Sequence, residues 1–186
     1  TTTELNLADF FRLNGISYEA LPIETNDEGK ENLFAGRCDV YTTDASGLSS
    51  TRAAAANPNK WVVLPEIISK EPLGPLVRHG DHQWGDVVRW SLNAMIIAEE
   101  LGVTSENVDA QKSSNVPEVL RLLGVEGSYG EMLELAPDWA YQIIKQIGNY
   151  SESYEANVGP DTPLEIARGL NALWTQGGIL YAPPFR

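Results

Sequence analysis

Hydrophobic residues at the start of the chain recur at the spacing of an amphipathic helix. Leu5, Ala8 and Phe11 fall on one face of residues 4–13, and the Asn-Gly pair that follows is typical of a helix end. Residues 16–21 then alternate between apolar and polar side chains, as a half-buried strand does. The pattern therefore predicts a helix followed by a strand.

The alternation of helix and strand patterns continues along the next part of the chain. Short helices are predicted over residues 27–35 and 45–56, and strands over residues 38–43 and 61–64. Strands that alternate with short helices indicate an α/β fold with a parallel sheet and flanking helices. Ligands of such sheets bind beside the carboxyl ends of strands, which is where Asp44 falls.

A change of pattern at residue 71 divides the chain. Residues 71–80 contain Pro72, Gly74 and Pro75, which suit an extended crossover or hinge and not a central strand. Residues 81–186 are predicted to be mainly helical, and they begin with the longest periodic segment, over residues 81–101. We therefore expect an α/β lobe over residues 1–70, a crossover over 71–80, and a helical region over 81–186.

Charge and composition limit the partners of the chain. Its 26 acidic and 13 basic residues give a formal net charge of −13 at pH 7. A field of this sign repels nucleic-acid phosphates and anionic membrane surfaces, so neither is expected as a partner. Cys38 is the single cysteine, and we interpret it as a small buried apolar residue. No apolar stretch approaches the length of a membrane span.

Two helix starts carry residues that suit a small charged ligand. Thr1 and Thr2 lie at the first turn of the first helix, where free N–H groups and a partial positive charge favour a carboxylate or a phosphate. Thr1 and Glu4 also fit a capping box, which is a purely structural role. Asp44 is likewise either a helix cap or a ligand group. The residues alone leave these alternatives open.

Other reactive or bulky side chains are interpreted as structural. His79 and His82 are close together but have no obvious third ligand, so no metal site is expected. No cofactor-binding motif was identified either. The tryptophans fall mostly on apolar faces of predicted elements and are expected in the core. They are Trp61, Trp84, Trp90, Trp139 and Trp174.

Several long motifs together resemble one protein family. They are Gly36-Arg-Cys-Asp-Val-Tyr-Thr-Thr-Asp-Ala-Ser-Gly-Leu, Leu64-Pro-Glu-Ile-Ile-Ser-Lys-Glu-Pro-Leu-Gly-Pro, Ala98-Glu-Glu-Leu-Gly-Val-Thr-Ser-Glu-Asn-Val-Asp, Arg168-Gly-Leu-Asn-Ala-Leu-Trp and Gly177-Gly-Ile-Leu-Tyr-Ala-Pro-Pro. The chain resembles periplasmic amino-acid-binding proteins of ABC importers, in bacterial extracellular solute-binding protein family 3. Within that family it is most similar to the polar or general L-amino-acid-binding branch. The similarity extends over essentially the whole chain.

The resemblance implies a two-lobed, type II periplasmic-binding-protein-like fold that closes over a free L-amino acid. Such proteins deliver the ligand to an inner-membrane ABC permease. Thr1 and Thr2 match the family's Gly-Thr-Thr turn, which holds the ligand carboxylate, although the preceding Gly is absent. Asp44 matches the acid that accepts the ligand ammonium. A zwitterion suits such opposed groups because both sets of hydrogen bonds are charge-assisted.

The resemblance also implies that this sequence is the C-terminal part of a longer protein. The family's first lobe, and the strand that leads into the Gly-Thr-Thr turn, would precede residue 1. On that expectation, residues 1–70 form the second ligand-binding lobe without its first strand, and residues 81–186 form helical return segments and a C-terminal extension. Exposed sheet edges would then need the first lobe, a second copy of the chain or a swapped element to complete the fold.

An enzyme is the alternative function. A few proteins of this fold are dehydratases that act on small carboxylic acids, and these need a general acid beside the ligand. Glu4, Asp44 and Glu66 are acids near the predicted rim, but no nucleophile and base stand together. A sensor module is a third class, for which no signalling segment is visible. We therefore expect a non-catalytic, periplasmic solute-binding protein with no catalytic residue, cofactor or metal.

Overall fold

The computed structural model describes residues 2–70 and 72–185. Their regular structure is helical. The α-helices are α1 (Thr2–Leu13), α2 (Asn26–Phe34), α3 (Ala45–Ala53), α4 (His82–Glu100), α5 (Val108–Gln111), α6 (Pro117–Leu122), α7 (Trp139–Ile147) and α8 (Tyr150–Asn157). Single 3-10 turns lie at Pro58–Lys60, Glu131–Leu133, Gly169–Asn171 and Trp174–Gln176. None of the described helices combines the length and apolar character that crossing a membrane requires.

The chain divides into two compact units. Unit 1 runs to Leu73 and also includes Pro163–Ile166, whereas unit 2 comprises Gly74–Thr162 and continues from Ala167. The main break falls inside the proline- and glycine-containing stretch over residues 71–80. The expected boundaries at residues 70 and 80 stay predictions.

Unit 2 is built around the 19-residue helix α4, which packs against α6, α7 and α8. Asp81 begins this helix, because its side chain accepts a hydrogen bond from the Trp84 N–H at 3.2 Å. Gly102 ends it, with a positive φ of 67° that suits glycine. The buried core residues of the described chain all lie in this unit. They are Ala94, Ile96, Ile97, Ala98, Val103, Val108, Val119, Leu122, Leu123, Leu133, Trp139, Ala140, Ile144, Leu173, Ala182 and Phe185.

The C-terminal segment of unit 2 is held to α4 by a buried ion pair. An Nη atom of Arg168 lies 3.0 Å from the Glu99 carboxylate, and the two side chains are only 15% and 8% exposed. The Arg168 guanidinium also lies 5.3 Å from the ring centres of Tyr150 and Tyr154 on α8. It donates two further hydrogen bonds to the Asn171 carbonyl. Groups from α4, from α8 and from the adjacent turn at Asn171 therefore converge on one guanidinium.

Unit 1 has no apolar core of its own among the described residues. The residues that are buried there are Gly29, Asn32, Ser49 and Thr51. Its large apolar side chains are half-buried or exposed, and the exposed ones are Leu5, Leu13, Ile16, Tyr18, Leu21, Phe34, Val40, Val62, Leu64, Ile67 and Leu73. Burial of apolar surface is the main force that stabilises a fold, so unit 1 lacks the stabilisation that unit 2 has.

The predicted parallel-rich sheet is wrong for the described chain. Residues 16–21, 38–43 and 61–64 form no strand, and one isolated bridge between Leu173 and Leu180 is the sole β pairing in residues 2–70 and 72–185. A strand forms only when another segment accepts and donates its backbone hydrogen bonds. Within the described residues, no other segment pairs with residues 17–23 or 38–43.

The helix predictions are confirmed more closely. The expected helices over residues 4–13, 27–35 and 81–101 correspond to α1, α2 and α4. The helix expected over residues 45–56 is shorter, since α3 ends at Ala53. The prediction that the tryptophans lie in the core holds for Trp139, which is 7% exposed. It is wrong for Trp84 and Trp174, which are 54% and 50% exposed.

Candidate functional site

Asp44 lies at the N-cap position of α3, but its side chain does not cap the helix. Its backbone is extended, with φ −56° and ψ 146°, and its carbonyl accepts the Leu48 N–H at 2.9 Å. The carboxylate accepts no hydrogen bond from the first turn and is exposed. No other described residue pairs with it. The capping role that the residues left open is therefore absent, and the carboxylate is available to a ligand.

Small side chains leave space around the start of α3. The first turn is Ala45, Ser46 and Gly47. A Cβ atom on Gly47 would lie 3.1 Å from the Thr43 methyl group, so a larger residue here would push the Thr43 side chain back by a few tenths of an ångström. Thr43 is half-buried, whereas Asp44 is exposed. The arrangement presents a carboxylate beside helix N–H groups with little side-chain cover.

The second helix start contains Thr2, the first residue of α1. Thr2 is exposed and Thr3 is half-buried. Thr1 lies outside the described residues, so neither its ligand role nor its capping box with Glu4 has a structural test. Phe11 of α1 contacts Tyr18, with the ring centroids 4.7 Å apart, and this contact holds the helix to the segment that follows it.

Thr2 and Asp44 both belong to unit 1, at the N-terminal ends of separate helices. No hydrogen bond joins them in the described part of the chain. Their assignment as a shared ligand site stays a prediction.

The remaining candidate residues form no cluster of metal-ligating side chains in the described structure. No three histidine, cysteine or acidic side chains there are grouped as metal ligands. His79 and His82 are exposed beside the start of α4. Cys38 was expected to be buried in a strand, but it is half-buried and lies outside any strand. Glu66, like Asp44, is an exposed carboxylate.

Arg52 is a partly buried charge that the sequence patterns did not reveal. An Nη atom of this α3 residue donates to the Glu165 carboxylate at 2.7 Å and to the Leu164 carbonyl at 3.3 Å. Its buried Nε has no partner among the described residues. The ion pair spans 113 residues of sequence, so no local pattern could have predicted it.

Comparison with curated proteins finds close relatives, although no family model matches the chain. The whole chain is 55% identical to the glutamate/glutamine/aspartate/asparagine-binding protein BztA of Rhodobacter capsulatus and covers 55% of it. It is also 55% identical to the general L-amino acid-binding periplasmic protein AapJ of Rhizobium johnstonii, again covering 55% of that protein. The putative amino-acid ABC transporter-binding protein YhdW of Escherichia coli is 53% identical at the same coverage. The chain spans about half the length of these relatives.

A solved structure agrees with these relatives. The whole chain superposes on 59% of an ABC transporter/periplasmic binding protein from Brucella ovis with glutathione bound, with a TM-score of 0.94 and 52% identity. This chain is a relative of the amino-acid-binding proteins of ABC transporters. The resemblance to amino-acid-binding proteins of ABC transporters is thereby confirmed, and the backbone is similar to part of a periplasmic binding protein. None of the relatives reported above is named as an enzyme, so the dehydratase alternative has no support.

Proposed function

We propose that this chain is part of the solute-binding component of an ABC importer. In this proposal the complete protein captures free L-amino acids in the periplasm and delivers them to an inner-membrane permease, without chemical change. The names of the relatives support the class of ligand and the compartment. The observation that carries the proposal is the Asp44 carboxylate, which is exposed at a helix start and has no protein partner in the described chain.

The chemistry at Asp44 suits the ammonium group of an amino acid. A carboxylate that accepts hydrogen bonds from an ammonium ion forms charge-assisted bonds, which are about twice as strong as neutral ones. The ligand carboxylate needs converging donors instead. The hydroxyl of Thr2 and the free N–H groups at the start of α1 can supply them, as can Thr1.

Completion of unit 1 is a second part of the proposal. Residues 17–23 and 38–43 have no pairing partner among the described residues, and many apolar side chains of unit 1 are exposed, so added strands would satisfy both. The whole chain superposes on 59% of the solved relative with a TM-score of 0.94, so its backbone follows the path of that part of the relative, although the described residues form no strand pairs beyond one isolated bridge. We infer that the part of the relatives that this chain does not match supplies the sheet, the first lobe and the other half of the ligand clamp.

A chimera tests the ligand assignment in a complete protein. The chain would replace the matching 55% of the Rhodobacter capsulatus relative, and L-glutamate binding would be measured by isothermal titration calorimetry. Asp44→Asn removes the charge but keeps the shape. Loss of a hydrogen bond to a charged group costs about 1.5–3 kcal/mol, so the Kd should rise about 10- to 100-fold.

The matched control is Asp39→Asn, which removes an exposed acid from the same segment and should leave the Kd unchanged. Equal Kd values for the Asp44→Asn chimera and its parent would contradict the assignment of the ammonium partner. Glutamate recovered unchanged after incubation separates binding from catalysis. Depletion of the glutamate would favour the enzyme instead.

A further inference from the structure

A cavity of about 220 Å³ opens on the surface of unit 2, and none of the residues that line it is assigned to amino-acid binding. It lies where the C-terminal end of α4 meets the last described residues of the chain. Its floor is apolar, because Ile97, Ala182 and Phe185 line it and each is 7% exposed. A floor of this kind favours the hydrocarbon part of a ligand.

Two carboxylates stand at the rim of the cavity. Glu100 is the last residue of α4, where the helix dipole adds a partial negative charge. It accepts a hydrogen bond from the indole N–H of Trp174 at 3.2 Å, which orients both side chains. Glu118 is exposed near the start of α6 and pairs with no described residue. The rim therefore attracts a positive charge.

An aromatic pair forms one wall of the cavity. The rings of Trp174 and Tyr181 meet edge to face, with centroids 5.5 Å apart and planes at 82°. These side chains are 50% and 74% exposed, so much of their aromatic surface faces solvent. The faces of aromatic rings attract cations, most strongly those of tryptophan. This attraction adds to that of the two carboxylates.

The C-terminal segment that completes the cavity is firmly anchored. Phe185 packs against Trp90, Tyr129 and Trp139 at centroid distances of 5.3, 5.7 and 6.0 Å. Arg121 donates from Nε to the Phe185 carbonyl at 3.0 Å. This guanidinium is a positive charge beside the cavity, but the two rim carboxylates outnumber it. The cavity walls are therefore held in place before any ligand arrives.

We propose that this cavity binds a small organic cation that consists of a short alkyl chain and a guanidinium or ammonium head. The alkyl chain lies on the apolar floor, and the head binds the carboxylates of Glu100 and Glu118 beside the Trp174 ring. A bare metal ion is a poorer fit, since the described chain groups no three metal-ligating side chains here. This site shares no residue with the amino-acid site proposed at Asp44.

The test uses n-butylguanidinium as the probe and this chain as the protein. Calorimetry would measure the affinity, and the chemical shift of the Trp174 indole N–H would report binding at this cavity. A ligand of this size with one apolar and one charged contact is expected to bind with a Kd of about 1 mM. Neutral n-butylurea, which has nearly the same shape, should not bind measurably.

Two variants test the residues. Glu118→Gln should weaken n-butylguanidinium binding about tenfold, because a charge-assisted contact becomes a neutral one. Tyr181→Ala should weaken it about threefold through loss of one aromatic face. Both side chains are exposed, so both variants should keep the far-ultraviolet circular dichroism of the parent. Glu126→Gln removes another exposed acid of unit 2 and should leave the Kd unchanged.

Three results would overturn the proposal. The first is an equal Kd for n-butylurea and n-butylguanidinium, which would show that only apolar contacts bind the ligand. The second is an equal loss in Glu126→Gln and Glu118→Gln, which would indicate general attraction to the net charge of −13. The third is an unchanged Trp174 signal at about ten times the expected Kd, where a single site is about 90% occupied.

Discussion

The buried ion pair between Arg168 and Glu99 offers the sharpest test of how unit 2 is stabilised. Replacing Arg168 by methionine keeps a long side chain but removes the charge. The Glu99 carboxylate, whose side chain is 8% exposed, is then left without its cation at 3.0 Å. The variant also loses the two hydrogen bonds to the Asn171 carbonyl and the contacts with the rings of Tyr150 and Tyr154.

The size of the effect follows from burial. Removing one partner of a buried pair costs about 3–5 kcal/mol, because the remaining charge stays desolvated. An exposed pair contributes only about 0–1 kcal/mol. Unit 2 contains such a pair in Arg89 and Asp86, at 3.4 Å with side chains 71% and 50% exposed. Arg89→Met is therefore the matched control for Arg168→Met.

Urea unfolding followed by tryptophan fluorescence measures both variants. With a urea slope of about 1–3 kcal/mol/M, Arg168→Met should lower the unfolding midpoint by more than about 1 M, and Arg89→Met should barely move it. The double variant Arg168→Met, Glu99→Leu removes the orphaned charge and should recover at least about 1 kcal/mol. Equal losses in the two single variants, or no recovery in the double variant, would refute the reasoning.

Three further predictions follow from the described structure. Gly124→Ala places a Cβ atom against the Pro137 carbonyl at φ 71°, so urea unfolding should show that the free energy of unfolding falls by at least about 3 kcal/mol. The control Gly102→Ala, at φ 67° in open space, should lower it by about 1 kcal/mol. Equal losses in the two variants would contradict the clash at Gly124. A hydrogen bond from Lys145 lowers the pKa of Asp109 below its usual 3.8. The ionised Asp109 therefore stabilises the folded protein above pH 3.8, and this stabilisation disappears as the pH falls through the lowered pKa of the folded state. Asp109→Asn should therefore destabilise the protein at pH 7 but not in strong acid, and a loss that is independent of pH in urea titrations would exclude this linkage. Limited trypsin digestion should cut unit 1 before unit 2 in this chain, because none of the large apolar side chains described in unit 1 is buried. In the chimera, unit 1 should be protected from trypsin if the rest of the relative completes it.

The elements that could be predicted from the sequence are those that depend on near neighbours. The helix start at Asp81 and the stop at Gly102 follow from a side chain that reaches three residues ahead and from a glycine at positive φ. The motif around residues 36–48 carried the family resemblance in the same local way. The identity of Asp44 as a helix-start acid could be predicted, but not that its carboxylate leaves the helix uncapped.

Strand predictions failed because pairing is decided at a distance. The alternation over residues 16–21 is suitable for a strand, yet Ile16 and Tyr18 are 47% and 43% exposed and no described segment forms a β-pair with them. Alternating apolar and polar residues show that a segment can form a strand, but the strand forms only where a second segment bonds to its backbone. The exposed Trp174 was mistaken for a core residue for a similar reason, since its place depends on how the C-terminal segment meets α4.

The sequence by itself determined the helices, the acidic field and the relationship to amino-acid-binding proteins, because helix hydrogen bonds close within four residues and net charge is a sum over residues. The tertiary structure alone decided that the described residues of unit 1 form neither a sheet nor an apolar core. It also decided that Arg168 reaches Glu99 and that Glu100 and Glu118 share the rim of one cavity. The physical reason is that burial, ion pairs and strand pairing join groups that are far apart along the chain, and such groups meet only after packing.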